Sequence, residues 1–409
     1  MRQYKSSQYR LSLSVYYGKQ TSCLCKFFGL ITPSALYFLA MASTIPKTSK
    51  QWTVEGFEGP SSLRFSEAPI PELKNNEVLV QIHGASLNPR DLLITRGAYP
   101  WPVRTPLIPG SDGAGIILAT GSAVTRFRPG DRVLTMLNQR HISGSLTREI
   151  ATAYGTGASV DGTLREYSVF DQQAVVHMPA NLGFVEAATL SCAGVTAWNA
   201  LFGGAGAGRV NREGAWVLTQ GTGAVSLFAL QFAKAAGARV IATTSSGAKI
   251  PLLQALGADH VINYRETPQW GAVAKELTTG GVGVDLVVEV AGPTTLRQSA
   301  EALRLDGQIS VVGFIGGDGA GAKSENGDSD GTKGTVPSLL ETWLNLYTAR
   351  GVWVGSRDQM EEMCAVVEEK GIRPVMDQRV FRLEEVREAY EYLEKGANVG
   401  KIGLEIVHD

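Results

Sequence analysis

Residues 220–246 read QGTGAVSLFALQFAKAAGARVIATTSS, and this stretch decides the fold. The apolar run AWVLTQ (215–220) leads into Gly221 and Gly223. SLFALQFAKAAG (226–237) follows with apolar residues at helical spacing, and RVIATT (239–244) is a second short apolar run. Strand, glycine turn, helix and strand in that order make the βαβ unit of a dinucleotide site. Gly221 permits the tight turn, and Gly223 removes a side chain where the backbone must approach pyrophosphate. Ser226 stands where a third glycine is usual and is small enough for close helix packing. The backbone of Gly221, Thr222, Gly223, Ala224 and Val225 is therefore expected to cradle the phosphates with the free N–H groups and dipole of a helix start.

The end of the second strand selects the cofactor. A site for NADH usually carries Asp or Glu about 20 residues after the glycines, bonded to the ribose 2′-hydroxyl. Here the strand runs out in Thr243, Thr244, Ser245 and Ser246, with Lys249 close behind. No carboxylate stands there to repel a 2′-phosphate, the hydroxyls can donate to one, and Lys249 supplies charge. The residues favour NADPH.

Further units follow toward the C-terminus. The helix KIPLLQALG, the strand HVINY, a helix around AVAKELT, the strand DLVVEV, a helix around LRQSAEALR and the strand QISVVGF continue the alternation. It predicts an α/β Rossmann domain, a doubly wound parallel sheet, because parallel neighbours need crossover connections. GGDGAGAKSENGDSDGTKGT (316–335) is low in complexity and reads as an exposed loop. A helix near VPSLLETWLNLYTAR and a strand VWVGS (352–356) are expected to close the sheet. Toward the N-terminus the pattern changes: EVLVQIHGASL, SDGAGIILATG and RPGDRVL are short strands between turn signals. No helix of normal length interrupts Gln51–Phe170, which points to a β-barrel domain, with a long polar loop at 135–161. PVMDQRVF and KIGLEIV, flanking the helix LEEVREAYEYLEKG, read as strands returning to it. The expected divisions are 42–180, 181–372 and 373–409.

Composition sets the outer bounds. Of 409 residues, 44% are hydrophobic and 19% charged, as in a globular enzyme. Residues 1–40 hold five basic residues and no acidic one, so the remainder carries 33 basic and 39 acidic residues. An acidic body without a basic patch argues against nucleic acid as a partner. Four cysteines, two of them Cys23 and Cys25, exclude a disulfide framework and fit a reducing compartment. The opening segment ends in FFGLITPSALYFLA, interrupted by Pro33 and too short for a membrane span of about 20 residues. It reads as a mitochondrial transit peptide, a secretory signal, or upstream sequence wrongly joined to the gene. MASTIPKTSKQW from Met41 resembles a natural start. Residues 1–41 are expected to lie outside the fold, and the protein is expected in the cytoplasm, or in mitochondria if the segment is a transit peptide.

Several motifs occur together and in order. They are SLNPRDLLITRGAYP (86–100), IPGSDGAGII (108–117), RPGDRV (128–133), GTLREYSVF, LSCAGVTAWNAL (190–201), the GTGAVS turn and LGADHVINY (256–264). From about Gln51 to the C-terminus the chain resembles the medium-chain dehydrogenase/reductase superfamily, in its zinc-independent quinone-reductase-like and zinc-type alcohol dehydrogenase-like branch. The resemblance implies a GroES-like β-barrel domain split around a Rossmann domain, a cleft active site, a small-molecule substrate and a homodimer. It also implies that neither zinc of the metal branch can be built. Asn88 stands where a cysteine ligand is expected, Gly110-Ser111-Asp112 replaces Gly-His-Glu, and 135–161 has no cysteine.

Site residues follow by resemblance. Asn88 would orient substrate beside the nicotinamide, and Tyr99 would donate to a carbonyl or pack on a ring. Thr196, Gly313 and Phe314 would meet the nicotinamide end, Tyr264 the 2′-phosphate end, and Lys401 would approach the cofactor from the returning domain. Asn88 before Pro89 also has the reading of a turn former, and Tyr99 reads as readily as packing; Arg90–Asp91 reads as a structural ion pair rather than catalytic, and Cys192 as core rather than a nucleophile. Without a Lewis acid the expected reaction is hydride transfer to a quinone or activated enone or carbonyl, whose oxygen hydrogen-bond donors stabilise. Two alternatives stay open: an enoyl reductase of a biosynthetic pathway, and a non-catalytic NADPH-binding sensor or structural protein.

Overall fold

The computed structural model describes residues 45–204, 207–313 and 337–407. The opening segment, the insert at 316–335 and Phe314 lie outside the described residues. Residues Pro46–Asp409 form one compact unit.

The first half is built from short strands. β1 (Thr48–Val54) pairs antiparallel with β2 (Leu63–Pro69). A seven-stranded sheet begins with β3 (Glu77–Leu87), β4 (Asp112–Thr120), β5 (Arg132–Thr135), β6 (Tyr167–Asp171) and β7 (Val175–His177). β3 is almost wholly buried because it is flanked by β4, β6 and, from the far end of the chain, the strand Lys401–Glu405. Among the described residues, two short α-helices interrupt this half before residue 180, Pro89–Thr95 and Arg148–Ala153.

The second half alternates strand and helix as its pattern requires. β8 (Trp216–Gln220), β9 (Arg239–Thr244), β10 (His260–Asn263), β11 (Val284–Glu289), β12 (Leu303–Val311) and β13 (Thr348–Gly351) form a sheet in the order β10-β9-β8-β11-β12-β13. Every pairing in it is parallel. β8 and β11 are buried at every position, as central parallel strands covered on both faces must be. Phe228 and Phe232 of the helix Ala224–Ala235 pack with Trp198 on one face, and Trp270, Ile241 and Leu303 fill the other. β14 (Met376–Arg382) and β15 (Lys401–Glu405) then return to the first sheet, giving the order β14-β15-β3-β4-β5-β7. This is the α/β Rossmann sheet with a GroES-like β domain that the sequence predicts.

Two local expectations change. The closing strand is Thr348–Gly351, not VWVGS, because Val354 adopts φ 47°, a conformation that no strand accommodates. Residues 135–161 are not a free polar loop: Asn138 and His141 are buried, and Arg148–Ala153 is helical. The carbonyls of His141 and Ile142 accept from the N–H groups of Arg357 and Asp358, at the start of the helix Arg357–Glu369. The segment thereby satisfies donors that a helix start leaves open.

Candidate active site

The glycine turn sits at the C-terminal ends of β8 and β9. Gly221 has φ 74°, which its lack of a side chain permits, and its N–H donates to Thr243 O at 2.9 Å. A side chain built on Gly221 or Gly223 would meet open space, so the turn is not compressed by protein and leaves room for a ligand. Gly223 caps the helix Ala224–Ala235 without any side-chain cap, and Ser226 is buried with its hydroxyl donating to Gln220 O at 2.6 Å. The uncapped first-turn amides beside an open glycine turn fit a dinucleotide pyrophosphate.

Beneath the turn lies a buried network. The Glu289 carboxylate accepts from Gln220 Nε2 at 2.7 Å, Thr295 Oγ1 at 2.7 Å, Ser299 Oγ at 2.5 Å and the N–H groups of Ala291 and Gly292. It binds the end of β8 to the end of β11, fixing the platform under the turn. Gly313 follows β12 and packs so closely on Val290 that a Cβ there would stand 2.6 Å from its carbonyl oxygen.

The expected cofactor-selecting residues converge at one end of the sheet. Ser245 and Ser246 are half-buried at the end of β9, and Lys249 Nζ reaches back to Thr222 Oγ1 at 3.1 Å. Tyr264 follows β10, bonds through its N–H to Thr244 O and is 40% exposed. Gly400 N–H donates to Thr222 O at 3.4 Å, so the returning chain touches the glycine turn just before Lys401.

Lys401 itself turns inward. It is 2% exposed, and its ammonium donates to Leu87 O at 2.8 Å, Asn88 Oδ1 at 2.7 Å and Asp112 Oδ2 at 2.9 Å. Its donors are thus committed within the protein. Asp112 is fully buried and also accepts from Ser86 Oγ at 2.6 Å and Ser111 Oγ at 2.8 Å. A charge buried this deeply persists only when paired and hydrogen-bonded.

Asn88 caps the helix Pro89–Thr95. Its N–H donates to Asp91 Oδ2 at 2.8 Å, so it shapes the local turn as well as facing Lys401, and its Nδ2 is buried without a protein acceptor. Arg90 and Asp91 form a buried pair at 3.3 Å, and Arg90 Nε donates to the Tyr99 hydroxyl at 3.3 Å. Burial pushes the Asp91 carboxyl up to about 6 against the pull of Arg90. Burial likewise raises the Tyr99 phenol, keeping it protonated at neutral pH. Tyr99 packs against Ile94, Leu107 and Ala158 and lies 6.0 Å from the Trp353 ring. Thr196 is buried in the helix Val195–Phe202, and Cys192 precedes it in a π-helical turn. Burial pushes the Cys192 thiol up to about 12, with Asp112 adding to the rise, so it is no thiolate nucleophile.

Sequence reasoning missed the partnership of Lys401 with Asp112, the Glu289 network and the approach of Trp353. Among the described residues, no three His, Cys, Asp or Glu side chains converge as a metal-holding group. Nor is any described helix long and apolar enough to cross a membrane.

Two family models match: an alcohol dehydrogenase GroES-like domain over residues 74–180 and a zinc-binding dehydrogenase domain over 224–369. A zinc-type alcohol dehydrogenase-like protein of Schizosaccharomyces pombe is 43% identical over 86% of this chain and 97% of its own length. A crystal structure of a provisionally assigned alcohol dehydrogenase from Sinorhizobium meliloti shares 35% identity, with a TM-score of 0.77 over 88% of this chain and all of that one. The quinone oxidoreductase from Coxiella burnetii shares 25% identity, with a TM-score of 0.67 over 88% of this chain and all of that one.

Proposed function

Because the chain belongs to the medium-chain dehydrogenase/reductase superfamily, as an alcohol dehydrogenase-like oxidoreductase, we propose that it is a metal-independent, NADPH-dependent reductase of quinones or activated enones and carbonyls. The observation that carries this reading is the Lys401 ammonium among Asn88 Oδ1, Leu87 O and Asp112 Oδ2. Oxygens that could ligate a dication are spent on a monocation. An ammonium held by three acceptors cannot polarise a bound alcohol as zinc does. Asn88 Nδ2 and the Tyr99 hydroxyl are instead hydrogen-bond donors for a carbonyl oxygen on which charge builds. Acceptors that need no Lewis acid suit such a site, and the likeness to a quinone oxidoreductase supports the same class.

Bound NADPH would supply the hydride. The chain's part is to hold it: Gly221–Val225 at the pyrophosphate, Thr196 and Gly313 toward the nicotinamide, and Ser245, Ser246, Lys249 and Tyr264 around the 2′-phosphate. Lys249 supports this assignment because its ammonium already lies over the turn, where among the described residues it is bonded to the Thr222 hydroxyl alone. A phosphate displacing that neutral acceptor would gain a charge-assisted bond.

A homodimer completes the proposal. β13 is the edge of the parallel sheet, and Leu339, Leu340, Trp343, Leu344 and Leu346 just before it are all more than half exposed. An edge strand beside an apolar patch of this kind is a surface that soluble proteins usually cover.

The experiment is calorimetric titration of the purified protein with NADPH and with NADH, followed by assays with quinones, enones and aldehydes. Tighter NADPH binding and turnover of one acceptor class are expected. Tight NADPH binding with no turnover of any acceptor would favour a sensor instead.

A further inference from the structure

Beside Asn88 the structure gathers donors that the cofactor reading does not use. Arg90 is 9% exposed. Its Nε is given to the Tyr99 hydroxyl and its Nη1 to Asp91, but its Nη2 is buried with no protein acceptor. The guanidinium stacks 5.0 Å from the Tyr99 ring centre. Trp353 lies 6.0 Å from Tyr99 and 5.4 Å from Trp101, and both indole N–H groups are buried without an acceptor. Native proteins rarely leave buried donors unmet, and a cluster of them asks for a ligand or ordered water.

The backbone gives a second sign. Val354, next to Trp353, holds φ 47°, a strained conformation for a β-branched residue, and Asn199 Nδ2 fixes its carbonyl at 2.6 Å. Such strain persists where surrounding structure enforces it, and it clusters at ligand sites. Here it sets Trp353, from the Rossmann half, against Tyr99 and Trp101 from the barrel half.

Charge then separates the candidate ligands. Arg90 is matched by Asp91 and Lys401 by Asp112, so the buried groups are neutral as a set. An anionic ligand would add an unmatched buried charge, which is costly. A neutral carbonyl oxygen accepts hydrogen bonds without donating any, and so fits a set that offers only donors.

We propose that Arg90, Tyr99, Trp101 and Trp353 form the acceptor seat: a flat, uncharged conjugated carbonyl compound packs among the rings, and its oxygen takes the free Nη2 of Arg90. This rests on the reductase reading and names its substrate as neutral and planar.

The test is calorimetric binding of benzylideneacetone and of its para-carboxylate to the full chain, with and without saturating NADP+. The neutral enone should bind at least tenfold more tightly than the carboxylate. Arg90→Lys keeps a cation for Asp91 but loses the free arm, and should weaken enone binding about tenfold without changing NADPH affinity. Trp353→Leu lies outside the buried ion pair and should weaken it comparably, so the test survives if the arginine variant fails to fold. Equal binding of enone and carboxylate, or both variants within twofold of the parent, would overturn the proposal and leave the donors to water. Enone binding through Arg90 without NADPH oxidation would instead refute the reductase reading and spare the seat.

Discussion

Replacing Lys401 with methionine is the sharpest perturbation of the polar centre. The side chain keeps similar length but deletes three hydrogen bonds and the cation paired with Asp112 at 2.9 Å. Asp112 is fully buried and would retain only the hydroxyls of Ser86 and Ser111. Removing one partner of a buried pair typically costs about 3–5 kcal/mol, against at most about 1 kcal/mol for an exposed one. For a chain of this size about 4 kcal/mol corresponds to a fall of roughly 5 °C in melting temperature. Asp112→Asn should cost a similar amount by stranding the ammonium. The double variant removes both charges and should therefore be more stable than the sum of the single losses predicts, by at least about 2 kcal/mol. Thermal and urea unfolding of the four proteins measure this coupling. A loss below about 1 kcal/mol for Lys401→Met, or strict additivity in the double variant, would show that Lys401 and Asp112 do not stabilise one another as a buried pair.

Three other outcomes follow from the same structure. Lys249→Ala should weaken NADPH binding about tenfold and leave NADH nearly unchanged in parallel titrations, since only the phosphate gains from the charge; equal losses would remove Lys249 from cofactor selection. Trp343→Glu, 69% exposed beside the edge strand, should shift the protein from dimer to monomer in sedimentation equilibrium; an unchanged mass would place any interface elsewhere. Asp91 has a folded pKa of about 6 against 3.8 for the free carboxyl. Between these values the unfolded chain holds fewer protons, so stability should fall with rising pH, by roughly 3 kcal/mol at 1.36 kcal/mol per unit. Asp91→Asn should lack this component when unfolding is compared at pH 4 and pH 7, and parallel profiles would contradict the assignment.

Much of the fold was readable because its signals are local. Apolar runs such as WVLTQ and VDLVVE mark strands buried on both faces, and the glycine turn between strand and helix identifies the sheet. What escaped was non-local. Lys401 and Asp112 are 289 residues apart in sequence, and only the antiparallel pairing of β15 with β3 brings the returning lysine to Asn88 and Asp112. VWVGS alternates like a strand, but the true edge strand is the polar TARG, held by its register with β12. Residues 135–161 have loop composition, yet their backbone carbonyls serve a helix start more than 200 residues away, which no local pattern encodes. The glycine turn was legible because the strand–turn–helix unit is itself contiguous, whereas the proposed aromatic seat joins residues near 100 to Trp353.

Hydride transfer without a metal can be put to the test in exhaustively chelated protein. NADPH-driven reduction of a quinone should proceed at full rate in chelator and be unchanged when zinc is restored, while oxidation of a primary alcohol stays at background in both. Loss of quinone reduction on chelation, or alcohol oxidation that appears with zinc, would show that the chemistry depends on a metal.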